Sequence, residues 1–334
     1  MRVAVFSTRP NDREFLAWAN GVGRHQFMFL EARLDACTVA AAEGAPAVCV
    51  FVNDRLDASV LQALHKAGLR LVVLRCAGFN NVNLVEAAAL GIAVCRVPEY
   101  SPHAVAEHTA ALVLTLNRKI HRAYNRVREG NFALEGLLGF DLHGRTVGLV
   151  GTGRIGACFA RIMVGFGCRV LATAPEVNPE CDALGVEYVE RDALLAASDI
   201  VSLHCPLTPR TRHLIDAAAL SRMKRGAMLV NTSRGAVIDT AAVIAALKSG
   251  QLGSLGLDVY EEEADLFFRD LSGEVLHDDL FARLLTFPNV VVTGHQAFFT
   301  ADALRAIAET TVANLDSFED NGHPLHVVSV EQLA

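Results

Sequence analysis

The chain has 334 residues, 52% of them hydrophobic and 20% charged, with a formal net charge of −7. That length suits two domains, the apolar fraction excludes a disordered chain, and the acidic balance argues against nucleic acid as the main partner. The opening MRVAVFSTRP shows no basic-then-apolar leader and the longest apolar runs, such as 110–116, are too short for a bilayer, so neither a secretory signal nor a membrane is expected.

Short β-branched runs alternate with helical patterns along the chain, which predicts parallel sheets with crossover helices. The first strands are expected at 3–7, 47–52, 70–75 and 92–97. The prolines of PEYSP (98–102) break regular structure, and one long helical pattern follows from about Ala104 to Val127. It carries a basic stretch, RKIHRAYNRVR (118–128), which reads as a solvated or subunit-facing surface rather than a nucleic-acid patch. A second strand series is expected at 146–151, 169–173, 199–204, 227–232, 254–260 and 289–294. The pattern is that of two doubly wound α/β units in tandem.

Eight cysteines include no CxxC pair and no zinc-ligand spacing. They are read as reduced thiols of a cytoplasmic protein, with no metal expected.

The strand TVGLV runs directly into Gly151-Thr152-Gly153-Arg154-Ile155-Gly156, which opens a helix. In that context Gly151 permits the tight turn, Gly153 lets backbone approach a pyrophosphate, and Gly156 allows close helix–strand packing. The unpaired N–H groups of the helix start would face the phosphates. The following strand should end in an acid for the ribose hydroxyls. It ends instead in Thr173-Ala174-Pro175, with Glu176 the nearest acid and no Lys or Arg within 173–178. The strand alone leaves NAD and NADP both open.

Ligands of doubly wound sheets sit beyond the carboxyl ends of the strands. Beyond three late strands stand Arg234, Glu263 and His295. An arginine grips a carboxylate bidentately and polarises an adjacent carbonyl; an imidazole exchanges a proton with that carbonyl's oxygen; a nearby carboxylate favours the imidazolium. Together with a dinucleotide loop they fit hydride transfer to a 2-keto acid.

The segments NTSRG, GLDVYEEEADLFF and TGHQAFFT, with GTGRIG, resemble the D-isomer-specific 2-hydroxyacid dehydrogenase family, and within it the bacterial fermentative D-lactate dehydrogenases. The similarity continues through FVNDR, LRCAGFNNV, VPEYSPHAVAEH, LNRKIHRAYNR and SLHCPLTPRTRHLID, nearly the whole chain. The resemblance implies two Rossmann-like doubly wound parallel-sheet domains, with an NAD(P)-binding domain at 101–298 inserted into a flavodoxin-like substrate domain formed by 1–100 and 299–334. It implies Arg234, Glu263 and His295 as the catalytic set, and Ala77 and Gly78 as backbone donors to the substrate carboxylate. Tyr100 and Phe298 would line the substrate pocket beside Arg234. Arg154, Ile155, Cys205, Pro206, Thr211, Thr232, Ser233 and Asp258 would meet the cofactor along with the glycines of the loop.

Position 174 is usually aspartate in NAD-using relatives, so Ala174 implies NAD with NADP tolerated. The implied reaction is reduction of pyruvate to D-lactate, the alternative being a bulkier 2-keto acid such as phenylpyruvate. A dinucleotide-sensing, corepressor-like role is disfavoured by the complete catalytic set. A homodimer or homotetramer formed through the helix after residue 101 is implied as well.

Overall fold

Segments such as Ala47–Val50 and Leu71–Leu74 are buried at every position, as parallel strands covered by helices on both faces must be. The computed structural model describes residues 1–333. It divides into two units, one made of Met1–Ser101 with the segment from Phe299 onward, the other of Pro102–Phe298.

In the first unit β1 (Arg2–Val5), β2 (Gln26–Phe29), β3 (Ala47–Val50), β4 (Leu71–Leu74) and β5 (Ala93–Arg96) form a parallel sheet in the order β2-β1-β3-β4-β5. The C-terminal helix Ala301–Asn321 belongs here because its apolar face joins that sheet's core. Ala308, Leu315 and Phe318 cluster with Val3, Val5, Leu71 and Val73. Removing that contiguous apolar surface from water supplies the main driving force for the docking.

The second unit holds β6 (Thr146–Val150), β7 (Arg169–Thr173), β8 (Glu187–Tyr188), β9 (Ile200–Leu203), β10 (Ala227–Asn231), β11 (Leu252–Leu257) and β12 (Val290–Val292). Their order is β12-β11-β10-β9-β6-β7-β8, all parallel. The order reverses at β6, so the crevice beside its carboxyl end is the topological switch point of the sheet.

Every expected strand is present, several shortened at their ends. Two were not foreseen: β2, whose QFMF is only partly buried, and the two-residue β8. Both are edge strands without the β-branched residues on which the strand expectation rests: β2 is built on Phe27, Met28 and Phe29, and β8 is only Glu187 and Tyr188. The single long helix is also corrected, because it is two helices, Pro102–Arg118 and Ile120–Arg128. Lys119 between them is left-handed, at φ 51°. The break is stabilised by Asn117, whose amide donates to the Phe140 carbonyl (2.7 Å) and accepts from the Phe140 N–H (2.9 Å). These bonds pin the last turn of the first helix to a segment more than twenty residues further along the chain. Among the described residues no helix is long and apolar enough to cross a membrane.

Candidate active site

Asn231, Leu257 and Val292 are register partners across β10, β11 and β12. The chain leaves all three strands at one edge, and each departure carries one of the groups singled out in the sequence.

Beyond β10, the fully buried Asn231 folds the loop onto itself. Its amide nitrogen donates to the Arg234 carbonyl (2.8 Å), and its oxygen accepts from the Ser233 N–H (3.0 Å) and hydroxyl (2.8 Å). Thr232 is held from the helix Pro102–Arg118 by Thr109, hydroxyl to hydroxyl at 2.8 Å. Gly235 has no room for a side chain, because a Cβ there would lie 2.0 Å from the Tyr260 carbonyl carbon. NTSRG is therefore a packed turn that seats Arg234 beside the segment following β11. One guanidinium nitrogen of Arg234 donates to the Ser233 carbonyl (2.7 Å), which leaves most of its five N–H groups for a ligand.

Asp258, directly after β11, is buried and organises the third loop. Its carboxylate accepts from the Gln296 N–H (2.9 Å), the Ala297 N–H (2.8 Å) and the Thr293 hydroxyl (2.5 Å). Burial would raise its carboxyl pKa, but these bonds and His108 at 3.4 Å outweigh it and hold Asp258 below the ordinary carboxylate range. The expected cofactor contact is thus also the anchor of the TGHQA loop.

His295 sits in that loop with left-handed backbone, φ 53°, and its N–H bonds the Asp258 carbonyl (2.7 Å). Its Nδ1 lies 2.8 Å from Oε1 of Glu263, whose other oxygen accepts the Tyr260 N–H at 3.0 Å. The Phe268 ring lies 5.7 Å from the imidazole. Phe268 is itself left-handed, φ 63°, an uncommon state for a bulky residue and one that clusters at functional sites. Glu263 and Phe268 thus fix one nitrogen and one side of the imidazole, and Nε2 remains to exchange a proton with a bound molecule.

The phosphate loop follows β6 at the switch point. Gly151 is at φ 98°, with a hypothetical Cβ 2.8 Å from the His204 backbone, and a Cβ on Gly156 would lie 2.3 Å from the Gly151 carbonyl. Around Gly153 nothing lies within 4 Å of such a Cβ. Two glycines are thus required by internal packing, whereas the third faces open space at the start of the helix Arg154–Gly165. This arrangement fits a dinucleotide pyrophosphate, with Arg154 exposed and Ile155 half-buried at its edge.

Other groups stiffen this loop. Asn178 donates to the Thr152 carbonyl (2.6 Å), and the Tyr188 hydroxyl donates to Oγ1 of Thr152 (3.0 Å). His204 lies against Phe159 and Ser202, and loss of hydration pushes its imidazole down to about 4, so it is neutral near pH 7. Burial raises the neighbouring Cys205 thiol to about 11, which keeps it protonated. Thr211 closes a turn by donating to the Pro206 carbonyl (2.6 Å) while accepting the Thr208 N–H (2.7 Å). Ala174 is half-buried at the end of β7 and Glu176 is exposed.

Arg234, Glu263, His295, Phe298 and all the expected cofactor residues lie in the second unit. Ala77, Gly78 and Tyr100 lie in the first. The supporting residues Asn231, Asn178, Tyr188 and His204 were not read from the sequence. Only Asn231 carried a signal, an amide ending an otherwise apolar strand, where such side chains commonly bond nearby backbone.

Several known proteins are similar to this chain over most of its length. The family pattern "D-isomer specific 2-hydroxyacid dehydrogenase, NAD binding domain" matches residues 110–297. The D-lactate dehydrogenase of Escherichia coli is 51% identical over 96% of this chain and 97% of its own. D-lactate dehydrogenase kk1H of Curvularia clavata is 55% identical over 95% of this chain and 92% of its own. The solved structure of the pyruvate reductase of Chlamydomonas reinhardtii superposes with a TM-score of 0.92 at 47% identity, covering 97% of this chain and 98% of that one.

Proposed function

The chain belongs to the D-isomer-specific 2-hydroxyacid dehydrogenase family, and we propose that it reduces pyruvate to D-lactate with NADH, using His295 as the proton donor. The observation that carries this reading is the 2.8 Å bond between His295 Nδ1 and Glu263 beyond the same sheet edge as Arg234. Bound dinucleotide supplies the hydride. Arg234 holds the keto acid by its carboxylate and draws electron density from the 2-keto oxygen. His295 Nε2 delivers the proton to that oxygen, and takes it back when a 2-hydroxy acid is oxidised. Ala77 and Gly78 offer N–H groups to the carboxylate, and Tyr100 and Phe298 bound the space for the substrate's side chain.

Measuring turnover of NADH and NADPH against pyruvate and phenylpyruvate tests the reading. Rapid oxidation of NADH by pyruvate is expected, and inactivity with every 2-keto acid would defeat it. The same assay reads cofactor choice. With no carboxylate at position 174 to repel a 2′-phosphate, NADPH is expected to be used measurably. Ala174→Asp should raise the NADH-to-NADPH ratio of kcat/KM by about 10- to 100-fold, from a charged hydrogen bond to the ribose of about 1.5–3 kcal/mol. An unmoved ratio would mean that another group reads the ribose.

Glu263→Gln is expected to lower kcat by about 10- to 100-fold with little change in KM, as the loss of one charge-assisted bond predicts. Glu263 accepts from both His295 and Tyr260. A glutamine has one acceptor oxygen, so its NH2 would confront one of those two donors. A variant with full kcat would remove Glu263 from the mechanism.

The unit also presents an apolar stripe outward. Ile120, Tyr124 and Val127 lie on one face of the helix Ile120–Arg128, each more than half exposed, and Phe132, Leu134 and Leu138 follow them at the surface. This supports a homodimer or homotetramer in which that face meets another subunit.

A further inference from the structure

The loop Cys76-Ala77-Gly78-Phe79 leaves β4 in the first unit, and the adjacent strand β5 ends at Arg96. The Arg96 guanidinium donates from Nη1 to the Ala77 carbonyl (2.9 Å) and lies over the Phe79 ring, 5.1 Å from its centroid. The Cys76 thiol bonds the Gly78 carbonyl at 3.3 Å. Among the described residues, the N–H groups of Ala77 and Gly78 donate to no other protein group.

We propose that Arg96 is a positioning residue for substrate binding, fixing the Ala77–Gly78 peptide so that the Gly78 N–H is aimed at the carboxylate of the keto acid. The inference rests on the proposed role of this loop and adds what sets its geometry. A trans peptide is planar, and its C=O and N–H point in opposite directions. A guanidinium fixed to the Ala77 oxygen therefore sets the direction of the Gly78 N–H. A cation on the oxygen also polarises the peptide and strengthens its N–H as a donor. The stacking on Phe79 gives the guanidinium a second point of attachment, which a compact ammonium reproduces poorly.

Arg96 is itself anchored from the far end of the chain. Its N–H donates to the His326 carbonyl (3.1 Å), and its carbonyl accepts from the amide of Asn314 (3.1 Å). Asn314 is fully buried on the C-terminal helix and also accepts the His326 N–H (3.0 Å). The C-terminal segment thus does more than cover the first sheet: through Asn314 and His326 it holds the end of β5, and through Arg96 it holds the loop.

The test compares Arg96→Met, which retains an apolar stem but no donor, with Arg96→Lys, which retains a donor but no planar fork. Arg96→Met is expected to raise both the KM for pyruvate and the Ki for oxamate, a pyruvate isostere, by about 10-fold or more, the usual consequence of a lost oriented hydrogen bond. Arg96→Lys should fall between the variant and the parent. The NADH Kd and the shape of the pH–kcat profile should stay unchanged, since the phosphate loop, Glu263 and His295 belong to the other unit. A general loss of structure would instead move the NADH Kd and the melting temperature together with KM. Active Arg96→Met with parental pyruvate KM and oxamate Ki would overturn the proposal. If that variant does not fold, parental values in Arg96→Lys and Arg96→Gln would do so. A parent protein inactive with every 2-keto acid would instead sink the functional reading, and this inference with it.

Discussion

Replacing His295 with asparagine is expected to lower kcat for pyruvate reduction by about 10³-fold, within the range for loss of a general acid. Asparagine is chosen on structural grounds. His295 has φ 53°, and asparagine tolerates left-handed backbone better than most side chains, so the loop should keep its path. The loop is also held independently of the imidazole, by Asp258 bonding the N–H groups of Gln296 and Ala297. The amide can still reach Glu263, but it has no proton to transfer to the substrate oxygen. The deficit should therefore fall on kcat, with NADH binding near the parental value. A factor of 10³ corresponds to about 4 kcal/mol of transition-state stabilisation. Steady-state kinetics alongside NADH titration checks it. A variant retaining kcat within about 10-fold of the parent would show that another group, or water, supplies the proton.

The interior of both sheets was legible because parallel strands buried on two faces are written as continuous Val, Leu, Ile and Ala runs. β2 and β8 were not, because β2 is built on Phe27, Met28 and Phe29 with no β-branched residue and β8 is only two residues long. The division of one helical pattern into two at Lys119 was hidden for another reason. Lys119 takes left-handed backbone there, and Asn117 beside it is bonded to Phe140, more than twenty residues away; helical periodicity carries no information about either. The candidate site shows the same split. Arg234, Glu263 and His295 are charged or titratable groups beyond apolar strands, so the strand pattern pointed to that end of the sheet, while the choice of Glu263 within the run Glu261-Glu262-Glu263 rested on the family resemblance. The groups that aim them are a neutral side-chain amide, a backbone N–H and a ring: those of Asn231, Tyr260 and Phe268. Their contributions arise only after the chain has folded.

Arg234→Lys is expected to reduce kcat/KM for pyruvate by about 100-fold or more, equal to about 3 kcal/mol, with most of the loss in KM. The charge is conserved, so a purely coulombic role would leave little effect. The geometry argues otherwise. One of the arginine's N–H groups is committed to the Ser233 carbonyl, and the remaining fork can serve a carboxylate and a keto oxygen together. A lysine presents three donors from a single atom. If it keeps the bond to Ser233, it cannot span two substrate oxygens in a plane; if it leaves Ser233, it gives up the contact that orients it. The loop itself should not move, because Asn231 holds the Arg234 carbonyl and Gly235 packs against Tyr260, both through backbone. NADH affinity is therefore the internal control. A lysine variant within about threefold of parental kcat/KM would mean that Arg234 acts only as a positive charge, and the bidentate grip would have to be abandoned.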